Sequence, residues 1–263
     1  MYKENVTTKD AKIRLSDGQV HYQEAGEGTP LLLLHSLGSS VFSWAKVVRP
    51  LAQKHTVYAL DTMGQGDSDK PSRDYAIEDY GGSVIEFMKS MNIDKATLIG
   101  NSIGASIASE VSASNPHLVN KLVLVGCPFR ETEEERREAL ELSKAQYDAA
   151  ANPLPRSLDD LKQTYFHVSE ELQKRVNAER AKAGVWCWKA MLALNKYDPT
   201  AVVGKISCPT LLIFGDKDML RAKEEALKGR IRGSKLVIIP SAGHVPQVDN
   251  PEAFLDAVLP FVG

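Results

Sequence analysis

The segment ATLIGNSIGASIASEVSAS, residues 96–114, decides the fold of this chain. A short apolar run leads into Gly100-Asn101-Ser102-Ile103-Gly104, and a longer run with helical periodicity follows at once. Gly-x-Ser-x-Gly between a strand and a helix is typical of a very tight turn, which needs small residues two places before and two places after the serine. Such a turn leaves the serine hydroxyl exposed above the sheet, so Ser102 is the candidate nucleophile.

The same alternation of short apolar and longer amphipathic runs continues on both sides of this segment. It predicts βαβ units and a parallel sheet. The predicted strands are residues 31–34, 56–60, 96–99, 122–125, 211–214 and 235–239, and the predicted helices are residues 41–54, 77–91, 103–114 and 252–261. Ahead of them, residues 11–15 and 20–24 flank an Asp17-Gly18 step, which predicts an antiparallel hairpin at the edge of the sheet.

The strand pattern stops between residues 127 and 205. Long charged runs at residues 132–149 and 157–183 look helical throughout. We therefore expect one α/β core domain, formed by residues 1–126 and 206–263, that is interrupted by a helical insertion at residues 127–205. Three predicted helix starts carry capping residues: Thr132 with Glu135, Ser157 with Asp160, and Ser169.

A serine nucleophile needs a general base, and His244 is the best placed of the six histidines. It follows the last predicted strand. In this arrangement the acid lies between the serine and the histidine in chain order, directly after a strand. Gly215-Asp216-Lys217-Asp218 meets both conditions, so Asp216 and Asp218 are the candidates. We expect the three groups to meet, because open α/β sheets collect their sites at the carboxyl ends of the strands.

Hydrolysis through a tetrahedral intermediate also needs hydrogen-bond donors for an oxyanion. One expected donor is the backbone N–H of Ile103, directly after the nucleophile. The other is expected from the loop after an earlier strand, residues 35–40, with the Leu37 N–H preferred. Gly38 and the small serines beside it allow that loop to approach a substrate closely.

Composition excludes several classes of protein. With 32 basic and 34 acidic side chains, no net field favours nucleic acid or an anionic membrane, so we expect a small-molecule substrate. Three widely spaced cysteines predict buried free thiols instead of a disulfide framework or a metal site. No phosphate-binding loop or dinucleotide fingerprint is present, so no cofactor and no metal is predicted.

The amino-terminal residues and the length of the apolar runs indicate where in the cell the protein is located. Residues 1–5 lack the apolar stretch of a signal peptide, and no apolar run reaches the ~18 residues that span a bilayer. We expect a cytoplasmic protein, a monomer or a homodimer.

Taken together, five segments resemble the α/β-hydrolase superfamily. They are the turn around Ser102, the loop at residues 35–40, residues 61–68, the Gly215 to Asp218 turn, and Gly243-His244. The match spans nearly the whole chain outside the insertion. The resemblance implies a mostly parallel eight-stranded sheet flanked by helices, with residues 127–205 as a cap over the site.

The resemblance also assigns roles. It implies that Asp218, the fourth position of Gly-x-x-Asp, is the acid in preference to Asp216. It implies that Asp61 and the turn at residues 64–68 are scaffolding, and that His35 braces the oxyanion loop.

The predicted reaction is cleavage of a small carboxylic ester through an acyl-enzyme. Ser102 attacks the carbonyl, His244 takes the serine proton, and Asp218 holds the imidazole in the useful tautomer. One alternative is hydrolysis of a carbon–carbon bond or of an enol lactone by the same triad. Another is a ligand receptor that keeps the hydrolase fold for signalling.

Details of the sequence point to different substrates. His35-Ser36-Leu37-Gly38 followed by Trp44 resembles enol-lactone hydrolases, whereas Gly100-Asn101-Ser102 resembles the carbon–carbon hydrolases. Ser36 and Ala105 stand where family members commonly have glycine, which bears on the pose of the loop and the floor of the pocket.

Residues of the insertion are candidates for the pocket wall. The aromatic candidates, with Met191, are Tyr147, Tyr165, Phe166, Trp186, Trp188 and Tyr197, and the alternative interpretation places them in the core of the cap.

A substrate carboxylate needs a cation, and the candidates are Arg130, Arg156, Arg175, Arg180 and Arg221.

Overall fold

The computed structural model describes residues 6–263 and contains an eight-stranded, mostly parallel sheet. The strands are β1 (Thr8–Leu15), β2 (Gly18–Ala25), β3 (Thr29–Leu34), β4 (His55–Leu60), β5 (Ala96–Asn101), β6 (Val119–Val125), β7 (Thr210–Gly215) and β8 (Lys235–Ile239). Their order is β1-β2-β4-β3-β5-β6-β7-β8, and only the β1–β2 and β2–β4 pairs are antiparallel. Residues 1–5, to which the signal-peptide prediction refers, lie outside the described residues.

Helices connect the strands. They are α1 (Ala45–Leu51), α2 (Ile77–Ser90), α3 (Ile103–Ser114), α4 (Glu133–Ser143), α5 (Leu158–Leu161), α6 (Glu170–Ala183), α7 (Val185–Lys196), α8 (Thr200–Val203), α9 (Glu224–Arg230), α10 (Pro246–Asp249) and α11 (Pro251–Val262). Short 3-10 segments are Val41–Trp44, Pro116–Leu118, Lys144–Gln146 and Arg221–Lys223. Within residues 6–263, no helix combines the length and hydropathy that crossing a bilayer requires.

The sheet has a hydrophobic core on each face. In β3, Leu32 and Leu34 pack on the face covered by α2 and α3, and Leu31 and Leu33 pack on the face covered by α1 and α11. Because both faces are covered, the strand is an uninterrupted apolar run instead of an alternating one. The predicted α/β fold is confirmed, with small shifts in strand bounds.

One helix of the sheet region differs from its predicted bounds of 41–54. The chain first forms a 3-10 turn, where the side chain of Ser40 accepts a hydrogen bond from the Phe42 amide, and α1 begins only at Ala45. The helix ends at Leu51, close to Pro50, which lacks an amide proton and tightens the last turn.

The prediction of continuous helix within residues 127–205 is wrong at two places. After α4 the chain turns, because the Asp148 carboxylate accepts the amides of Ala150 and Asn152 and competes with the helical pattern. Between α5 and α6 the amides of residues 166 and 167 donate to Asp249, far along the chain. The predicted caps are present: side chains of Thr132, Ser157 and Ser169 each accept the amide three residues on.

Candidate active site

Ser102 joins the end of β5 to the start of α3 in a backbone conformation that residues with side chains rarely adopt. Its φ is 57° and its ψ is −118°. The Ser102 amide donates to the Val125 carbonyl at 2.9 Å, and the Ser102 carbonyl accepts from the Ala105 amide at 2.9 Å. Hydrogen bonds on both sides hold this strained turn, as expected for a functional position.

The glycines of the motif permit this turn. A Cβ atom at Gly100 would clash with the carbonyl of Gly104, and a Cβ atom at Gly104 would clash with the carbonyl of Leu34. The close approach of β3, β5 and α3 therefore requires glycine at both positions.

His244 and Asp218 form a buried pair. The His244 Nδ1 atom lies 3.0 Å from Oδ1 and 3.1 Å from Oδ2 of Asp218. The Asp218 side chain has no exposed surface, and its Oδ1 also accepts the Leu220 amide at 2.9 Å. A buried carboxylate on Nδ1 orients the ring so that the other ring nitrogen is free to act as a base.

Among the described residues, Asp216 forms no hydrogen bond or salt bridge with His244. Its Oδ1 accepts the Ala242 amide at 3.1 Å and so joins the loops that follow β7 and β8. Of the two candidate acids, only Asp218 is therefore hydrogen-bonded to the histidine ring.

Ser102 and His244 line one cavity of about 210 Å³. Within residues 6–263 the Ser102 hydroxyl makes no hydrogen bond to the imidazole. Catalytic hydrogen bonds of this kind often tighten only in the Michaelis complex. The shared cavity is the feature that brings the predicted nucleophile and base together.

The oxyanion loop follows β3. Leu37 lines the cavity, and Ile103 is the first residue of α3. In the part of the chain that the structure describes, neither amide donates a hydrogen bond to the protein. Both N–H groups are thus available to an oxyanion.

Two buried side chains hold this loop. The His35 Nδ1–H donates to the Ser36 carbonyl at 2.7 Å, and its Nε2 accepts the Thr62 amide at 3.0 Å. Complete burial lowers the pKa of His35, which keeps the ring neutral. The Gln65 Oε1 accepts the Gly38 amide at 3.0 Å, and its Nε2 donates to the Trp186 carbonyl of α7 at 3.2 Å.

The Asp61 carboxylate holds several segments of the chain together. The Asp61 carboxylate accepts the Val41 amide at 2.7 Å and the Asp67 amide at 2.8 Å, and it lies 2.8 Å from His21 Nδ1. The hydrogen bond that His21 donates to Asp61 raises the pKa of His21. Asp61 does not line the cavity of Ser102, which fits the predicted scaffolding role.

Three neighbours of the candidate triad were not among the site residues that the sequence predicted. Asn101 donates from Nδ2 to the His244 carbonyl. Gly126 follows β6 with a φ of 52°, and a Cβ atom there would lie 2.7 Å from His244 Nδ1 and 2.8 Å from Asp218 Oδ2. Asp249 accepts the amide of Gly243, next to His244, at 2.9 Å. The sequence offered two hints: Asn101 stands inside the Gly-x-Ser-x-Gly turn, and Gly126 directly follows a buried strand.

Of the arginine candidates, Arg130, Arg156 and Arg180 line the cavity. The other two have acidic partners: Arg175 bonds to Glu179 at 2.8 Å and Arg221 to Glu224 at 2.9 Å. The cavity that holds Ser102 is therefore cationic.

Few of the aromatic candidates reach the cavity. Tyr165 lines it, as does Met191. Trp186 and Tyr197 lie in the main core cluster, while Tyr147 and Trp188 pack against each other at a centroid distance of 5.0 Å. Phe166 is 41% exposed. Most of these side chains are structural, as the alternative interpretation holds.

The two residues that stand where family members commonly have glycine differ in their location. Ser36 lines the cavity, whereas Ala105 is fully buried in the core and does not line it. The expectation that Ala105 bears on the floor of the pocket is therefore wrong, because its position on α3 faces the neighbouring helices and strands.

Comparison with known proteins identifies the family of the chain. The family model of the alpha/beta hydrolase fold matches residues 29–251. The chain belongs to the α/β hydrolase fold family.

Two relatives carry hydrolase names, and one solved structure of the same fold is an enol-lactonase. The 2-hydroxy-6-oxo-6-(2'-aminophenyl)hexa-2,4-dienoic acid hydrolase of Metapseudomonas resinovorans is 29% identical over 264 residues, which cover 93% of this chain and 87% of the relative. The (E)-2-((N-methylformamido)methylene)succinate hydrolase of Acinetobacter baylyi is 24% identical over 261 residues, which cover 91% of this chain and 93% of the relative. The enol-lactonase from Burkholderia xenovorans LB400 has a TM-score of 0.78 at 20% identity, over 96% of this chain and 99% of that chain, and so shows the fold alone. The comparisons support a hydrolase of this fold.

Proposed function

We propose that this member of the α/β hydrolase fold family is a serine hydrolase of small acyl compounds, with a carboxylic ester as the simplest substrate. The observation that carries the proposal is the buried His244–Asp218 pair on the cavity of the strained Ser102. Serine, acid and histidine occur in the chain order that is typical of the fold.

The geometry supports a two-step reaction. The Ser102 Oγ attacks the substrate carbonyl while His244 takes the hydroxyl proton, and His244 then passes that proton to the leaving group. Asp218 stabilises the imidazolium that forms. The amides of Leu37 and Ile103 bind the oxyanion, and water that is activated by His244 releases the acyl group.

Residues 127–205 act in this proposal as a cap. They supply Arg156, Tyr165 and Arg180 to the cavity wall, and Gln65 joins them to the oxyanion loop. Substrate selection is thus assigned to the cap, and bond cleavage to the core.

The test compares three variants on p-nitrophenyl acetate and butyrate. Ser102→Ala and Asp218→Asn are expected to lower kcat by about 10⁴-fold, the usual effect of losing a triad member. Asp216→Asn is the matched control, because an amide oxygen still accepts the Ala242 amide, and it is expected to stay near wild-type activity. Mass spectrometry after a fluorophosphonate inhibitor is expected to place the adduct on Ser102.

Two outcomes contradict the proposal. Undiminished turnover by a folded Ser102→Ala variant excludes this nucleophile. Equal losses in Asp216→Asn and Asp218→Asn exclude the assignment of Asp218 as the acid.

A second candidate is hydrolysis of a carbon–carbon bond or an enol lactone in a substrate that carries a carboxylate. The observation that favours it is Arg180, a buried cation on the cavity wall whose Nε and Nη2 have no partner among the described residues. The relative from Metapseudomonas resinovorans is named for a dienoic acid that contains no ester bond. Hydrolysis of such a molecule breaks a carbon–carbon bond beside its ketone.

Arg180→Gln separates the two candidates. If the substrate is an acid, the variant loses kcat/KM on a 2-hydroxy-6-oxo-dienoic acid or an enol-lactone acid by about 100-fold, and keeps its rate on p-nitrophenyl butyrate. Equal rates of the wild type and Arg180→Gln on the acids contradict a carboxylate-dependent reaction. If no substrate turns over but an acid moves the cap, the receptor alternative replaces both.

A further inference from the structure

The cavity of Ser102 has an unbalanced charge. Arg130, Arg156 and Arg180 line it, and no aspartate or glutamate is among its lining residues. Within residues 6–263, none of these three guanidinium groups forms a salt bridge, although other arginines of the same segment do. Arg180 is buried and the other two are partly buried. A buried cation is unfavourable unless it is paired, so this arrangement matches an anion supplied from outside the chain.

Arg180 is the most buried of the three, with 6% of its surface exposed. Its Nε and Nη2 atoms lack partners, and its side chain packs beside Gly38 of the oxyanion loop. A guanidinium presents parallel N–H groups that match the two oxygens of a carboxylate. One substrate carboxylate therefore fits next to the oxyanion loop.

Arg156 is the second of the three arginines that line the cavity. Its Nη1 donates to Thr164 Oγ1 at 3.0 Å, and its Nη2 donates to the Asp160 carbonyl. These neutral acceptors orient the group, and the Asp160 carboxylate acts on its charge without forming a salt bridge with it. Burial and the neighbouring Arg180 both lower the pKa of Arg156, which indicates that the two cations act on the same region.

Arg130 lies on a different element, the loop between β6 and α4, beside Pro128. Burial lowers its pKa, and Glu135 is the acid that opposes this effect. The Glu135 carboxylate is already engaged by Lys223 at 2.6 Å and by the Glu131 amide at 2.7 Å. Arg130 is thus a third cation of the cavity wall, and it comes from a different segment of the chain.

We propose that the substrate is a small dianion with two carboxylates, one bound by Arg180 and Arg156 and the other by Arg130. The inference deepens the proposed function and rests on it, since the same cavity holds Ser102. The volume of about 210 Å³ is below the ~300–1,000 Å³ of sites for drug-sized ligands, which favours a short diacid.

The test measures binding to the Ser102→Ala protein, so that no turnover is needed. Calorimetry compares succinate, glutarate and adipate with their monoamides, which keep the shape of the diacid and lose one charge. The diacid of best length is expected to bind about tenfold more tightly than its monoamide.

Arginine variants test which residue binds the second carboxylate. Arg130→Gln is expected to bring the diacid and the monoamide to within about twofold of each other, while binding of the monoamide itself is unchanged. Arg180→Gln is expected to weaken both. Arg130→Lys keeps the charge and is expected to restore part of the preference. Arg232→Gln removes an exposed positive charge outside the cavity and serves as the control for net charge.

The proposal is overturned if no diacid binds more tightly than its monoamide, or if Arg130→Gln and Arg232→Gln give the same ratio. These results leave the triad test on p-nitrophenyl esters unaffected. Conversely, a Ser102→Ala protein that still turns over esters refutes the proposed nucleophile while the binding ratios still report on the anion site.

Discussion

The Nδ2 atom of Asn101 donates a hydrogen bond of 3.0 Å to the backbone carbonyl of His244. The residue before the candidate nucleophile therefore holds the backbone of the candidate base. The same side chain donates to the Val125 carbonyl at 3.1 Å and accepts from Gln247 Nε2 at 3.2 Å. Because Asn101 is fully buried, no water replaces these contacts when they are lost.

The first prediction concerns this contact. Asn101→Ala leaves the His244 carbonyl without its donor, which is expected to cost about 1–3 kcal/mol of unfolding free energy. Misplacement of the base is expected to lower kcat by about 10–100-fold with a smaller change in KM. Urea unfolding and steady-state kinetics measure the two effects. Asn120→Ala, at an exposed position, is the control, and a wild-type kcat in Asn101→Ala would show that the bridge does not position His244.

Gly126 gives the second prediction. Its positive φ disfavours any side chain, and a Cβ atom would press on both His244 and Asp218. Gly126→Ala is expected to separate the pair and to lower kcat by about 100-fold.

The matched control for this change is Gly229→Ala, since no atom lies within 4 Å of a Cβ atom there. It stands in α9, where alanine is expected to stabilise the helix by up to about 1 kcal/mol. Normal turnover by Gly126→Ala would mean that the pair tolerates displacement.

Asp249 gives the third prediction. Its carboxylate accepts three amides, those of Phe166, His167 and Gly243. An asparagine supplies one acceptor oxygen instead of two, so Asp249→Asn is expected to lose about 1.5–3 kcal/mol of unfolding free energy. Hydrogen exchange at the amides of residues 166 and 167 is expected to accelerate in the same variant.

The control is Asp148→Asn. Asp148 also accepts two backbone amides, but it lies on an exposed turn, where the same change is expected to cost less. Equal losses of stability in both variants would contradict a special role for Asp249 in joining the segment between α5 and α6 to the loop of His244.

The fourth prediction is a pH dependence that arises from His35. Burial lowers its pKa from the ordinary value of 6.5, so the folded protein keeps the ring neutral while the unfolded chain takes up a proton below about pH 6.5. Below that pH the unfolded state binds more protons than the folded state. The stability that the neutral His35 contributes to the folded state is therefore lost as the pH falls.

His35→Gln lacks this titration. The difference in unfolding free energy between wild type and variant is expected to shrink by about 1 kcal/mol between pH 7.5 and pH 5.5, as measured by urea unfolding. His21 and His55 are present in both proteins and cancel in the comparison. A difference that stays constant with pH would show that His35 is not held neutral by the fold.

Local features of this protein were readable from the sequence. The strand, turn and helix around Ser102, the apolar strands and the helix caps each depend on residues within a few positions of one another. Chain order also indicated His244 and left Asp216 and Asp218 as candidates. These predictions needed only backbone geometry and the two periodicities of secondary structure.

The tertiary structure decided which distant residues meet. Asn101 reaches His244 across 143 positions of sequence, and Asp249 interrupts the helical pattern at residues 166 and 167 from more than 80 positions away. Three of the five candidate arginines line the cavity because the tertiary structure brings their segments of the chain to it. Such contacts depend on how the strands are ordered in the sheet and how α4 to α7 pack over it, and a pattern of neighbouring residues carries no information on either.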